Sequence, residues 1–170
     1  MTKPDVWLRG PVDGVVPLLQ PAAHALLQAM EDVERAAETL PDRDLWRRPG
    51  GAGGAASAGF HLKHLIGATE RLLTYARGEP LTEAQRQWLA TEGTAGEPAD
   101  GEVARLVTRF RGVVEAGLAQ LRATGAAELT APRAIGRGQL PTTVIGCLFH
   151  AGEHAARHAG QLITTVKALR

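Results

Sequence analysis

Of the six histidines in this chain, His150, His154 and His158 stand four residues apart in the run HAGEHAARHAGQ. Four steps along an α-helix leave neighbouring side chains only about 40° apart around the axis, so two such imidazoles reach one ion from successive turns. Zinc and nickel accept neutral imidazole readily, and open metal sites commonly take three protein ligands and leave the remaining positions to water or substrate. The run supplies two ligands, so the third must come from elsewhere. The stretch GFHLKHLIGATERLLTYARG offers His61 and His64 directly behind a glycine-rich loop. A cation held by three neutral imidazoles keeps its full charge for the open positions, where a bound water or thiol ionises near neutral pH and becomes a nucleophile. Against this stands the plainer alternative that one HxxxH pair is a loose motif, more often solvated than metallated. Three histidines on one face with two more at a helix start favour the ion, because one cation relieves several buried, unpartnered imidazoles together.

These side chains need helices to position them, and the pattern supplies four long ones. Aromatic residues make up only 4% of the chain, and no Val- or Ile-rich alternation reaches a strand's length, which predicts an all-α fold. Leu26, Met30, Val33 and Ala37 recur at threes and fours and place a first helix over about 21–39, closed by Pro41. The run PGGAGGAASAG then leads to Ser57 as N-cap of a second helix ending near 77, where Gly78 and Pro80 stop it. A short helix carrying Trp88 fits 82–90, and residues 92–101, with Gly93, Gly96 and Pro98, read as a crossover. A third long helix fits 101–123, residues 126–140 read as loop, and Pro141 opens a last helix. The economical architecture is a four-helix bundle with a long crossover between helices two and three, in a single domain over 1–170.

Helical bookkeeping asks whether the histidines face somewhere useful. Measured from the apolar stripe of the last helix, His158 lies roughly 80° and His154 roughly 120° around, on the shoulder where two helices meet, with His150 further toward solvent. On helix two, His61 lies roughly 80° from the stripe and His64 roughly 140°, so the pattern alone prefers His61 as the third ligand.

The two histidine stretches, in this order and at this spacing, resemble the DinB-like (YfiT-like) superfamily of metal-dependent enzymes, from about Val15 to Ala168. The resemblance implies a metal site built from one histidine early in helix two and an i, i+4 pair in helix four, followed after three residues by Gln. The matching positions are His64, His154 and His158, with Gln161 trailing. Resemblance and stripe disagree over helix two, and the motif decides for His64 because the stripe of an alanine-rich helix is poorly defined. The resemblance further implies a four-helix bundle with nickel or zinc in a cleft at one end, manganese or iron being other candidates, and a homodimer. Relatives of this kind include thiol S-transferases and a thiol-dependent isomerase. The expected activity is therefore transfer of a small thiol to an electrophile, or hydrolysis of a small substrate, with a non-catalytic metal-binding or dimerisation module as the alternative.

Such chemistry also requires pocket residues. Glu153, Arg71 and Tyr75 are candidates by position, Gln161 is a candidate to orient an imidazole, and His61 and His150 are extra histidines at the site. Glu153 reads more simply as a solvent-facing charge and Tyr75 as a packing residue. Cys147 shares the histidine shoulder but reads as core, and His24 as a satisfied core histidine. Trp7, Trp46 and Trp88 fall outside the long helix interiors and suit bundle ends, cleft or dimer contact, while Arg133 and Arg137 suit an anionic group or solvent. Gly50 to Gly54 lacks the Lys-Ser/Thr ending of a phosphate loop. A net charge of +1 argues against a nucleic-acid partner, and the absence of a leader, a long apolar run or a second cysteine predicts a cytoplasmic protein without a membrane span.

Overall fold

The computed structural model describes residues 3–96 and 99–170. Five α-helices follow one another as α1 (Gln20–Ala37), α2 (Ala58–Ala76), α3 (Glu83–Thr91), α4 (Glu102–Ala123) and α5 (Val144–Ala168), with a hairpin of β1 (Pro132–Ile135) and β2 (Leu140–Thr143) between the last two. Local chemistry sets these boundaries. Pro21 occupies the first turn of α1, where a missing N–H is harmless. The Ser57 hydroxyl accepts the Phe60 N–H at 3.2 Å and caps α2, and Thr82 with Gln85 forms a reciprocal capping box on α3. Asp42 accepts the N–H groups of Gly101 and Val103, both at 2.8 Å, which ties the start of α4 to the loop after α1. Thr143 caps α5 by accepting the Gly146 N–H.

The helices bury their apolar stripes against one another. α5 lies against both α1 and α2, α4 packs on the same two helices, and α3 rides on the outside of α2. Leu26, Val33, Leu62, Leu65, Phe110 and Leu148 are fully enclosed in the shared core. The α1–α5 crossing is tight because Gly152 meets the Ala22 backbone; a Cβ there would fall 2.8 Å from the Ala22 carbonyl oxygen. Among the described residues, no helix is long and apolar enough to cross a membrane.

The structure is mostly helical, yet the all-α expectation needs two corrections. Residues 126–140, expected as loop, contribute β1, and Pro141, expected to open the last helix, pairs with Ala134 inside β2 three residues before α5 begins. Strands of four residues are too short to register as alternation, and proline is tolerated because each strand of an isolated pair has a free edge. The short helix, expected over 82–90, runs from Glu83 to Thr91 as a fifth element on α2. Pro98, expected in the crossover, lies outside the described residues.

Candidate metal centre

His61 and His64 sit in the first two turns of α2, and His150, His154 and His158 follow one face of α5. Because α2 and α5 pack side by side, the two groups meet. One ligand nitrogen from each of His64, His154 and His158 lies within 4.8 Å of the other two, and all three residues are half-buried. Nε2 of His64 is 2.9 Å from Nε2 of His154, and the His154 and His158 ring centroids are 4.5 Å apart. Two nitrogens on one ion at 2.0–2.1 Å stand about 3.0–3.4 Å apart, close to the separation of the His64–His154 pair.

The electrostatics suit the same use. Burial, reinforced by neighbouring imidazoles, pushes His154 down to about 4 and His158 down to about 3. Both are neutral at physiological pH, the form in which imidazole ligates a cation. Nδ1 of His154 is buried without a hydrogen-bond partner. With two of the rings held neutral and the His64 and His154 Nε2 atoms facing each other at 2.9 Å, this donor set fits a divalent ion.

His61 plays a different part. It is only 6% exposed, and its Nδ1 lies 3.3 Å from Nδ1 of His158, so it contacts a member of the trio without joining it. Burial, with a contribution from His64, holds it below the usual histidine range. The Phe60 ring stacks on His64 with centroids 5.3 Å apart. Beside these rings opens a cleft of about 580 Å³ lined by Phe60, His61, His158, Arg157, Gln161, Thr164 and Thr165.

On the opposite side of His64 lies a residue that the sequence did not single out. Glu92, just past the end of α3, accepts from Nδ1 of His64 at 2.8 Å and pairs through both oxygens with the Arg71 guanidinium. Glu92 is 4% and Arg71 9% exposed. Burial alone would raise the Glu92 carboxyl, but hydrogen bonds from His64 and Arg71 outweigh it and hold the group below its ordinary value. At the head of a glycine-containing connection Glu92 reads as a solvated acid. Arg71, two turns beyond His64 on the same face of α2, carried the usable signal, because an arginine turned inward requires a carboxylate.

The other sequence candidates are dispersed. Gln161 lines the cleft but, among the described residues, hydrogen-bonds none of the imidazoles. Glu153 turns away to His150 at 3.1 Å and to Nε of Arg157 at 2.9 Å, a pairing that engages both its oxygens at the surface. Tyr75 stands in a separate groove beside Pro80 and Arg133 at the hairpin. Cys147 is fully buried, and burial pushes its thiol up. His24 is satisfied by the Gly10 carbonyl oxygen at 3.0 Å.

Comparison with known proteins agrees with this architecture. The crystal structure of a DinB-like protein from Bacillus cereus ATCC 10987 superposes with a TM-score of 0.59 at 18% identity, covering 84% of this chain and 89% of that one, a likeness of fold. No curated protein matches the chain. The family model of the DinB superfamily matches residues 25–162, a span that takes in both histidine-bearing helices. By that match, this chain belongs to the DinB superfamily.

Proposed function

We propose that this chain is a divalent-metal-dependent enzyme in which His64, His154 and His158 hold the ion and a small thiol is transferred to an electrophilic substrate in the adjoining cleft. The observation that carries this reading is the convergence of three half-buried imidazoles from α2 and α5 beside an open cleft. Membership of a superfamily that is generally metal-binding supports it. Zinc and nickel suit the donors best, and manganese and iron are the next candidates. Such an ion supplies Lewis acidity, which lowers the pKa of a water or thiol bound to it toward neutrality.

The protein's own residues divide the remaining work. Phe60 and His61 wall the cleft, and the hydroxyls of Thr164 and Thr165, with the Gln161 amide, give it hydrogen-bonding groups. Among the described residues its lining contains no carboxylate, since Glu153 is engaged by His150 and Arg157, and Glu92 lies behind His64 with Arg71. Hydrolysis places the heavier demand on a side-chain base, because water is a far weaker acid than a thiol, so this lining favours thiol transfer. In this reading residues 1–170 work as one domain, in a cytoplasmic homodimer.

Elemental analysis of protein purified without a histidine tag tests the proposal. Close to one equivalent of a divalent metal is expected. Less than about a tenth of an equivalent, with no uptake on titration, overturns it. A panel of small thiols with electrophilic acceptors then tests the reaction, and a retained ion with no turnover across the panel would assign a bracing or sequestering role instead.

A further inference from the structure

We propose that Glu92 is the positioning residue of this centre: its carboxylate fixes the His64 imidazole with the proton on Nδ1 and so directs a bare Nε2 toward His154 and His158. The proposal rests on the metal reading only for its consequence for affinity. The contact itself is on the side of the ring away from His154. Nδ1 of His64 meets Glu92 Oε2 at 2.8 Å, while Nε2 faces His154 at 2.9 Å. A ring that donates from one nitrogen to a carboxylate keeps its lone pair on the other, and this second contact also limits rotation of the ring.

The surroundings are built to hold that carboxylate. An unpaired anion in so enclosed a place would be strongly unfavourable, and Arg71 compensates it through both oxygens. Gly67, one turn beyond Lys63 on α2, provides the space: a Cβ there would overlap Glu92 Oε1 and the Trp88 indole. Trp88 donates its indole N–H to the Lys63 carbonyl oxygen at 2.8 Å, and the Arg109 guanidinium lies over the indole, 3.8 Å from the ring centroid. α3 is thereby fastened to α2 one residue before His64 in the sequence, and Glu92 follows at the end of α3. An ion pair serving only to join α3 to α2 would have no need of the imidazole nitrogen.

In an imidazole without such a partner the proton favours Nε2, the nitrogen that here must be bare. Nitrogen-15 NMR of the metal-free protein at mildly alkaline pH reads the tautomer directly, and zinc titration against a chromophoric chelator reads affinity. The wild-type protein is expected to carry the His64 proton on Nδ1. In Glu92→Ala it should move largely to Nε2, with zinc affinity falling by about 10- to 100-fold. Glu92→Gln keeps the shape if the alanine variant does not fold; it offers one oxygen to two donors, so it should shift both readouts in the same direction by less. Gly67→Ala, which retains the carboxylate but displaces it, should resemble Glu92→Ala. A His64 proton on Nε2 in the wild type, or a lowered melting point in the variants with tautomer and affinity unchanged, overturns the proposal. If the wild type takes up no zinc while the tautomer still follows Glu92, the metal reading fails and the hold of Glu92 on His64 stands.

Discussion

His154 and His158 resist protonation in the folded chain down to about 4 and about 3, whereas unfolded histidine titrates near 6.5. Between those values the unfolded state binds more protons, so this contribution to stability is fully present above the unfolded pKa and disappears as pH falls toward the folded ones. Protein freed of metal by chelation should therefore show a lower urea midpoint at about pH 5 than at about pH 7, and an unchanged midpoint contradicts the assignment of these rings as buried and neutral. Substitution probes each ring separately. His154→Ala and His158→Ala should each abolish metal retention, and His64→Ala should do so more completely than His61→Ala, as read by metal content after gel filtration. The rivalry between His61 and His64 shows how far residue spacing is informative. The apolar stripe preferred His61 as the third ligand, and His61 is the more enclosed of the two but lies outside the trio; the histidine motif selected the one that meets His154. Burial and ligation are different properties, and helical period reports only the first. Glu92 was illegible because its environment is assembled from His64, Gly67 and Arg71, all more than twenty residues away in sequence.

At the scale of elements, the centre depends on how closely α5 approaches its neighbours. Gly152 stands two residues before His154 and lies directly on the Ala22 backbone. Gly152→Ala forces a methyl into that contact and should destabilise the protein by about 1–3 kcal/mol, measured by urea unfolding. Because α5 must move to accommodate it, metal affinity should fall as well, and a variant with wild-type stability would show that the crossing has slack. The long helices were readable because each spreads a 3.6-residue apolar period over several turns, as Leu26, Met30 and Val33 do on α1. The hairpin was not, since Pro132, Gly136 and Pro141 carry the composition of a loop and pairing between Ile135 and Leu140 leaves no local signature. Gln139, left-handed at φ 47° in the turn, likewise gives no warning in its residue type.

For the whole molecule, a core running through α1, α2, α4 and α5 implies that the fold does not depend on an ion between two of those helices. Chelation should leave helical circular dichroism unchanged and lower stability only by the linked binding energy, about 3–4 kcal/mol for free ion at a hundred- to a thousandfold excess over Kd. Collapse of the helical signal on chelation would instead assign the ion to bracing. The extents of the long helices were open to sequence reasoning, whereas the packing of α3 on α2 and the contact of Glu92 with His64 arise only in three dimensions. The burial of Cys147, the chain's one cysteine, has a practical consequence for enzymology. With that sulfur sealed in the core and its ionisation suppressed, maleimides, epoxides or chlorinated aromatics can be offered to the native protein with little background from self-alkylation. Any sulfur-labelled adduct would then trace to the added cosubstrate, and mass spectrometry of the intact chain would verify that the polypeptide itself had gained no mass.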